Sequence, residues 1–198
     1  EVLLEAIQNS LLAACKDQFG KSDNIRVVLD ETTGELWDRL SILGGKLLVE
    51  TLEKIEKSSI TRQKQGSDFS LAPMLSKKIG KIDWKNKEAV EIKNLVRGLN
   101  PIIGAYTYIE NKKIKFWKAD VLTEQELLEK YESLKECKPK LDDITYGTVI
   151  LSDPKNGLII KAKNGYVNVL EIQGENAKKM SINDFLRGNS IDVGTVLQ

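Results

Sequence analysis

Short runs of β-branched and aromatic residues, separated by tight-turn signals, fill the second half of the chain and restrict the folds open to it. The segment 153–157 (DPKNG) and the pair Asn164-Gly165 are such signals, and Asn-Gly favours a type I′ turn. Asn111-Lys112 separates two further runs, as in a hairpin. Five short strands joined in this way predict a small closed or partly closed β-barrel. The predicted strands are Ala105–Glu110, Lys113–Leu122, Gly147–Ser152, Gly157–Lys163 and Tyr166–Gln173.

The first half of the chain has the three- and four-residue spacing of apolar residues that is typical of amphipathic helices. Residues 2–19 predict one helix, which Gly20 would end, and Asn24–Asp30 predicts a short strand. Thr32 to Glu35 fits a capping box, so a second helix is predicted from Glu35 to about Glu56. Shorter helices are predicted over Asn86–Gly98, Thr123–Glu136 and Ser181–Arg187, and an extended segment over Ile191–Leu197.

Residues 57–80 are rich in Ser, Gln, Lys and Gly and lack sustained periodicity, which indicates a linker. The expected organisation is therefore a helical segment at 1–56, a linker at 57–80 and a barrel domain at 81–198. The predicted fold class is α+β, with N-terminal helices and a short strand before the linker, and flanking helices around the barrel.

Charge is distributed unevenly along the chain. The 30 basic and 29 acidic residues leave a formal net charge of +1, yet residues 77–118 hold 11 basic residues against 4 acidic ones. This block, Lys77 to Lys118, predicts a local positive field that would attract a polyanion although the whole chain is nearly neutral.

The chain contains no histidine, which removes the commonest general base and the commonest metal ligand. Ser-His-Asp and Cys-His nucleophiles are therefore excluded, as are zinc sites that contain histidine. Two cysteines, Cys15 and Cys137, are too few for a disulfide framework and indicate a reducing, cytoplasmic setting. No run approaches the roughly 18 apolar residues of a membrane span, so no membrane association is expected.

A set of sequence segments within about residues 31–198 resembles the methionyl-tRNA formyltransferase family. TTGELWDRL (Thr32–Leu40) and LLVETLEKIE (Leu47–Glu56) resemble the end of that family's catalytic domain. APMLSKKIGKIDW (Ala72–Trp84) resembles the entry into its C-terminal domain. The family's next helix and strands resemble two segments of this sequence, LVRGLNPIIGAYTYI (95–109) and KIKFWKADVL (113–122). Its closing segment resembles MSINDFLRGNSIDVGTVL (180–197).

This resemblance implies an oligonucleotide-binding-type (OB-like) barrel at 81–198 that contributes to binding initiator methionyl-tRNA in translation initiation. The family takes its formyl group from formyl-tetrahydrofolate. Its catalytic Asn, His and Asp cannot be placed in this chain, so no catalytic residue and no cofactor site is expected here. The family's Asn-Pro-Trp-Pro phrase reads Asn100-Pro101-Ile102-Ile103 in this sequence.

Residues 1–30 resemble a different family, the N-terminal domain of the transcription factor NusA. The residues concerned are EVLLEAIQNSLLAACKDQFG, followed by NIRVVLD. The chain is therefore interpreted as a hybrid joined near residues 30–35, in which the NusA-like segment precedes the formyltransferase-like helix at 35–56.

The candidate nucleic-acid-binding residues are the cations of the linker and of the basic block. Arg97 could hold a phosphate or could complement the negative end of its helix. Tyr106, Tyr108 and Trp117 could stack on bases or pack in the core, and either Phe116 or Trp117 must point inward. Trp84 is expected in the core, and no metal ligands are expected. The full set is Arg62, Lys64, Lys77, Lys78, Lys81, Arg97, Lys112, Lys113, Lys115 and Lys118.

Alternative functions remain open at this stage. The N-terminal helices could form an interaction module or mediate self-association, and the barrel could belong to a related sugar-nucleotide formyltransferase. The chain could also be an enzyme whose activity does not need imidazole, and a formyl-transfer assay would distinguish that case.

Overall fold

A computed structural model describes residues 32–61, 63–64, 66, 68, 74–132, 134 and 143–198. The chain divides into two compact units, Glu1–Met74 and Leu75–Gln198. The helix predicted at 2–19, the strand predicted at 24–30, both cysteines and Arg62 lie outside the described residues.

In the first unit, helix α1 runs over Thr33–Glu56, as its capping box predicts. Thr32 N–H donates to Glu35 Oε2 at 2.8 Å, and Glu35 N–H donates to Thr32 Oγ1 at 3.3 Å. Of the helices in the described ranges, none has the length and hydropathy needed to cross a membrane. Several large apolar side chains along α1 are more than half exposed, namely Trp37, Ile42, Leu43, Leu47, Leu48, Val49, Leu52 and Ile55.

The second unit begins with a 3₁₀ helix, Lys77–Gly80, followed by α2, Ala89–Gly98. Helix α3 covers Glu124–Lys130 and α4 covers Ile182–Gly188, with Thr123 and Ser181 as their N-caps. The prediction that α3 continues to Glu136 is wrong. It ends at Lys130 because the Tyr131 ring is buried against the sheet, and its hydroxyl lies 3.3 Å from Asn156 O.

Within the described residues, six strands form one antiparallel sheet. The hydrogen-bonded order is β1-β2-β5-β4-β3, and β6 pairs with β5. All five strands predicted for the barrel are therefore found, together with a further short one. Their bounds are β1 Ala105–Ile109, β2 Lys112–Leu122, β3 Val149–Asp153, β4 Gly157–Ala162, β5 Gly165–Gln173 and β6 Met180–Ser181.

Two predicted turns are displaced by one residue. The β1–β2 loop is Glu110-Asn111, both with positive φ, because Ile109 pairs with Lys112. The β4–β5 loop is Lys163-Asn164, because Ala162 pairs with Gly165. The β4–β5 loop also makes a long-range contact: Asn164 Nδ2 donates to Glu88 Oε1 at 2.6 Å, at the start of α2.

The last residues of the chain lie between the two outer strands of the sheet. Tyr108 and Gln198 exchange two backbone hydrogen bonds, of 2.9 and 3.1 Å. On the other side, Val149 N–H donates to Thr195 O at 2.8 Å and Leu197 N–H donates to Gly147 O at 2.9 Å. The segment therefore satisfies backbone groups of β1 and of the residues at the start of β3, which would otherwise be exposed at sheet edges.

The main core lies between the inner face of the sheet and helices α2 and α4. Ile92, Phe116, Ile160 and Ile172 are fully buried there, and Trp84 is buried as predicted. A second cluster forms under α3, around Leu127 and Ile159. Strand β4 is therefore buried along its whole length, since its two faces contribute to different clusters.

A polar pair is built into the main core. Trp84 Nε1–H donates to Thr107 Oγ1 at 3.0 Å, and this hydroxyl donates to Gln198 O, also at 3.0 Å. Thr107 has no exposed surface, so an indole N–H that lost this acceptor would stay buried and unpaired.

We expect Thr107→Val to lower the free energy of unfolding by about 1–3 kcal/mol, because valine has the shape of threonine but no acceptor for the indole. The same substitution should cost less in a Trp84→Phe background, where the N–H is absent. Urea denaturation of the four proteins of this cycle measures the coupling. An equal cost in both backgrounds would contradict the role of the hydrogen bond.

Candidate nucleic-acid interface

The outer face of the β1–β2 hairpin carries aromatic and cationic side chains in alternation. Ala105, Thr107 and Ile109 are buried, so Tyr106 and Tyr108 point to the opposite face of β1. The register pairs Tyr106 with Lys115 and Tyr108 with Lys113. The two tyrosines and the two lysines therefore occupy one face of two neighbouring strands.

The lysine ammonium groups lie close to the aromatic rings. Lys113 Nζ is 3.6 Å from the centroid of the Tyr106 ring, and Lys115 Nζ is 5.3 Å from the Trp117 ring. These distances are those of cation–π contacts, which hold each charge at the surface beside a ring. Lys81 Nζ lies 5.8 Å from the Tyr108 ring. We call this surface the aromatic–lysine face: Lys81, Tyr106, Tyr108, Lys113, Lys115 and Trp117.

Lys81 reaches this face because the 3₁₀ helix approaches β1 closely. Ile82 N–H donates to Tyr106 O at 2.9 Å, which adds the residues after the helix to the edge of β1. A Cβ atom on Gly80 would lie 2.8 Å from Gly104 O and 3.2 Å from the Tyr106 ring. Glycine at position 80 therefore permits the approach that brings Lys81 beside Tyr108.

Of the two aromatic residues that competed for the core, Phe116 points inward and Trp117 outward. Phe116 is fully buried in the main core. Side chains alternate along β2, so Trp117, next to Phe116, lies on the outer side, and the register shifts after it, around Lys118. The indole of Trp117 packs against Gly104, where φ is +71°, and its N–H donates to Gln173 Oε1 at 2.9 Å. Its ring is therefore fixed and largely covered, with 9% of its surface exposed.

Within the second unit, the other predicted cations are not gathered at this face. Lys118 is paired in register with Glu171, and Lys112 lies at the end of the hairpin. Arg97 is half-buried in the last turn of α2. Lys77 and Lys78 are exposed on the 3₁₀ helix, while Lys64 is exposed in the first unit.

A groove of about 570 Å³ continues the aromatic–lysine face. Lys81 belongs to both, since it lies beside Tyr108 and lines the groove. Hydrogen bonds from Asn86, led by its side-chain amide, hold the pKa of Asp83 below its ordinary value despite opposing desolvation. The Asp83 carboxylate of the groove therefore already accepts hydrogen bonds from the protein itself. Its lining residues are Lys81, Ile82, Asp83, Trp84, Lys85, Thr145, Tyr146, Val196, Leu197 and Gln198.

Most residues that line this groove are not among those predicted from the sequence. Lys85 lies in the basic block and could have been included on that ground. Thr145, Tyr146 and the closing residues 196–198 carry no local signal, because they reach the groove only through the backbone pairing of the last residues. Among the residues of the described ranges, no group of three or more His, Cys, Asp or Glu side chains could hold a metal ion.

Comparison with known proteins identifies relatives of this chain. Residues 74–190 match the family described as formyl transferase, C-terminal domain. Methionyl-tRNA formyltransferase of Lachnospira eligens is 40% identical over 176 residues, which are 88% of this chain and 52% of that protein. The enzyme of Clostridium beijerinckii is 38% identical, over 89% of this chain and 51% of that protein. The chain thus spans about half the length of the curated relatives it matches.

A crystal structure of a HypX variant from Aquifex aeolicus has a similar fold, with a TM-score of 0.51. The match covers 86% of this chain and 31% of that one, at 13% identity, so it concerns the fold alone. It agrees with the predicted α+β class.

The NusA N-terminal domain family matches residues 1–97, further than the predicted NusA-like segment at 1–30. This match covers just under half of the chain and overlaps the formyl transferase match at residues 74–97. The formyl transferase match covers more than half of the chain and includes the whole aromatic–lysine face. The chain therefore belongs to the formyl transferase C-terminal domain family.

Proposed function

We propose that this chain is the tRNA-binding C-terminal portion of a methionyl-tRNA formyltransferase-like protein that acts in cytoplasmic translation initiation. The observation that carries the proposal is the aromatic–lysine face, where three ammonium groups lie beside three aromatic rings. The proposed partner is initiator methionyl-tRNA, because relatives at 38% and 40% identity are methionyl-tRNA formyltransferases.

The architecture proposed for residues 81–198 is an OB-like barrel that residues 57–80 link to the N-terminal helices. The support is the backbone pairing of the last residues, which lie between Tyr108 of β1 and Val149 of β3. In this proposal the closing segment completes the ring that the five main strands leave open. Such barrels commonly present one strand face to nucleic acids.

Binding would begin with the lysines of the aromatic–lysine face. Each ammonium that neutralises a phosphate releases condensed counterions, which drives association at low salt. Lys113 and Lys115 are two residues apart on one strand, so their side chains project in the same direction. Lys81 extends the row from the neighbouring backbone.

The described residues do not supply the set of side chains that the resemblance implies for a folate site. The resemblance implies Asn, His and Asp around formyl-tetrahydrofolate, but the chain contains no histidine. Asp83 of the 570 Å³ groove already accepts hydrogen bonds from the Asn86 side chain and from the Lys85 and Asn86 amides. A second cavity, of about 380 Å³, is lined by Glu124, Lys161 and Tyr166 among others. No catalytic step through the folate follows from the described residues.

The double variant Lys113→Gln/Lys115→Gln should bind initiator tRNA more weakly. The slope of log K against log salt should become shallower by about 1.4–1.8 if each lysine neutralises one phosphate. Fluorescence anisotropy with labelled tRNA over a range of salt concentrations measures both quantities.

The matched control is Lys155→Gln, which removes an exposed lysine from the turn between β3 and β4. It should leave the affinity and the slope unchanged. Equal slopes for the wild type and the double variant, or no tRNA binding by the wild type at low salt, would refute the proposed interface.

A formyl-transfer assay tests the alternative that this chain is itself an enzyme. With formyl-tetrahydrofolate and methionyl-tRNA, we expect no turnover, since no group of the described residues forms the required folate site. Turnover that persists after repeated purification would show that the chain carries a catalytic centre built from other residues.

A further inference from the structure

The two tyrosines of the aromatic–lysine face stand at right angles to each other. Their ring centroids are 5.8 Å apart and their planes meet at 90°. Successive bases of an RNA helix are parallel and already stacked on each other. Two perpendicular rings therefore cannot both continue the stack of one helix, whereas unpaired bases can turn to meet such rings.

Of the two rings, Tyr108 is the better platform for a base. The Lys113 ammonium lies only 3.6 Å from the Tyr106 centroid and covers one side of that ring. Lys81 stands further from Tyr108, at 5.8 Å. Tyr108 is half-buried, and its backbone is paired with Lys113 on one side and with Gln198 on the other. The platform is thus held by strand pairing on both sides before any ligand arrives.

The adjoining groove has room for the next nucleotide of a strand. Its volume of about 570 Å³ lies in the range of pockets that hold small organic molecules. Lys81 lies near the Tyr108 ring and also lines the groove, and Lys85 is a second cation on the lining. Tyr146, 38% exposed, adds an aromatic surface there. A backbone phosphate beside Lys81 would join a base on Tyr108 to a nucleotide in the groove.

We propose that the aromatic–lysine face binds an unpaired, single-stranded segment of RNA, with one base stacked on Tyr108 and its neighbour in the groove. The inference rests on the proposed function, which requires only that the lysines meet phosphates. It adds that the preferred RNA is single-stranded and that an aromatic ring supplies part of the affinity.

The test compares a fluorescein-labelled oligouridylate with a labelled hairpin RNA that has the same number of phosphates, by anisotropy at several salt concentrations. The hairpin is closed by a non-nucleotide linker, so that all its bases are paired. The wild-type chain should bind the oligouridylate more tightly than the hairpin. Tyr108→Leu should weaken binding of the oligouridylate by about 5- to 100-fold, as for loss of one stacked base. Its salt dependence should stay unchanged, because no phosphate contact is lost.

Tyr108→Phe is the matched control, since it keeps the ring and removes only the hydroxyl, and it should bind like the wild type. Circular dichroism of each variant checks that the sheet is intact. The comparison of the two RNAs on the wild-type chain needs no variant, so it decides the question even where Tyr108→Leu fails to fold.

The outcomes separate this inference from the proposed function. If the hairpin binds as tightly as the oligouridylate, or a folded Tyr108→Leu variant binds within twofold of the wild type, the single-strand inference is wrong. The proposed function would still stand if Lys113→Gln/Lys115→Gln weakened binding of both RNAs. Failure of the wild-type chain to bind any RNA at low salt would overturn both.

Discussion

Burial of the inner side of the β1–β2 hairpin fixes which residues can meet a ligand. Thr107 and Phe116 have no exposed surface, and Thr107 is tied to the buried indole of Trp84. Because side chains alternate along a strand, the neighbouring Tyr106 and Lys115 must lie outside. A slip of one residue would expose Phe116 and bury the Lys115 ammonium, and burying an unpaired charge costs far more than a surface contact can return. The outer face thus depends on the core beneath it.

The same alternation places Trp117 outside, because its neighbour Phe116 is buried. The indole of Trp117 donates to Gln173 of β5 and packs on Gly104. The register shifts after it, around Lys118, and this bulge returns Ala119 to the buried side of the strand. The Trp117 ring provides the surface beside which the Lys115 ammonium lies. The hydrogen bond to Gln173 therefore links two strands and fixes the third ring of the aromatic–lysine face.

The parts of the fold that the sequence predicts well are those that local signals determine. The capping box at Thr32 predicts where α1 begins, and period-two alternation predicts the strands. Long-range contacts determine the rest. Neither the early end of α3 at Lys130 nor the pairing of Gln198 with Tyr108 can be read from neighbouring residues. Charge and the family resemblance indicate the candidate cations, but only the register shows that Lys113 and Lys115, and not Lys112, lie on the face of the two tyrosines.

The cations of the basic block differ in their surroundings: some are paired with carboxylates, and others lie beside aromatic rings. This difference favours the aromatic–lysine face as the part of the block that would bind a polyanion. Lys93 lies 3.0 Å from Asp120 and Lys87 lies 3.7 Å from Glu91, so these charges are already partly neutralised. The lysines of the aromatic–lysine face lie instead over rings, where an exposed cation–π contact contributes only about 0.5–1 kcal/mol. Such a contact positions the ammonium without neutralising it, so a phosphate can still gain the full charge interaction. In the proposed interface, the three lysines beside rings therefore offer a phosphate more of their charge than the paired Lys87 and Lys93 do.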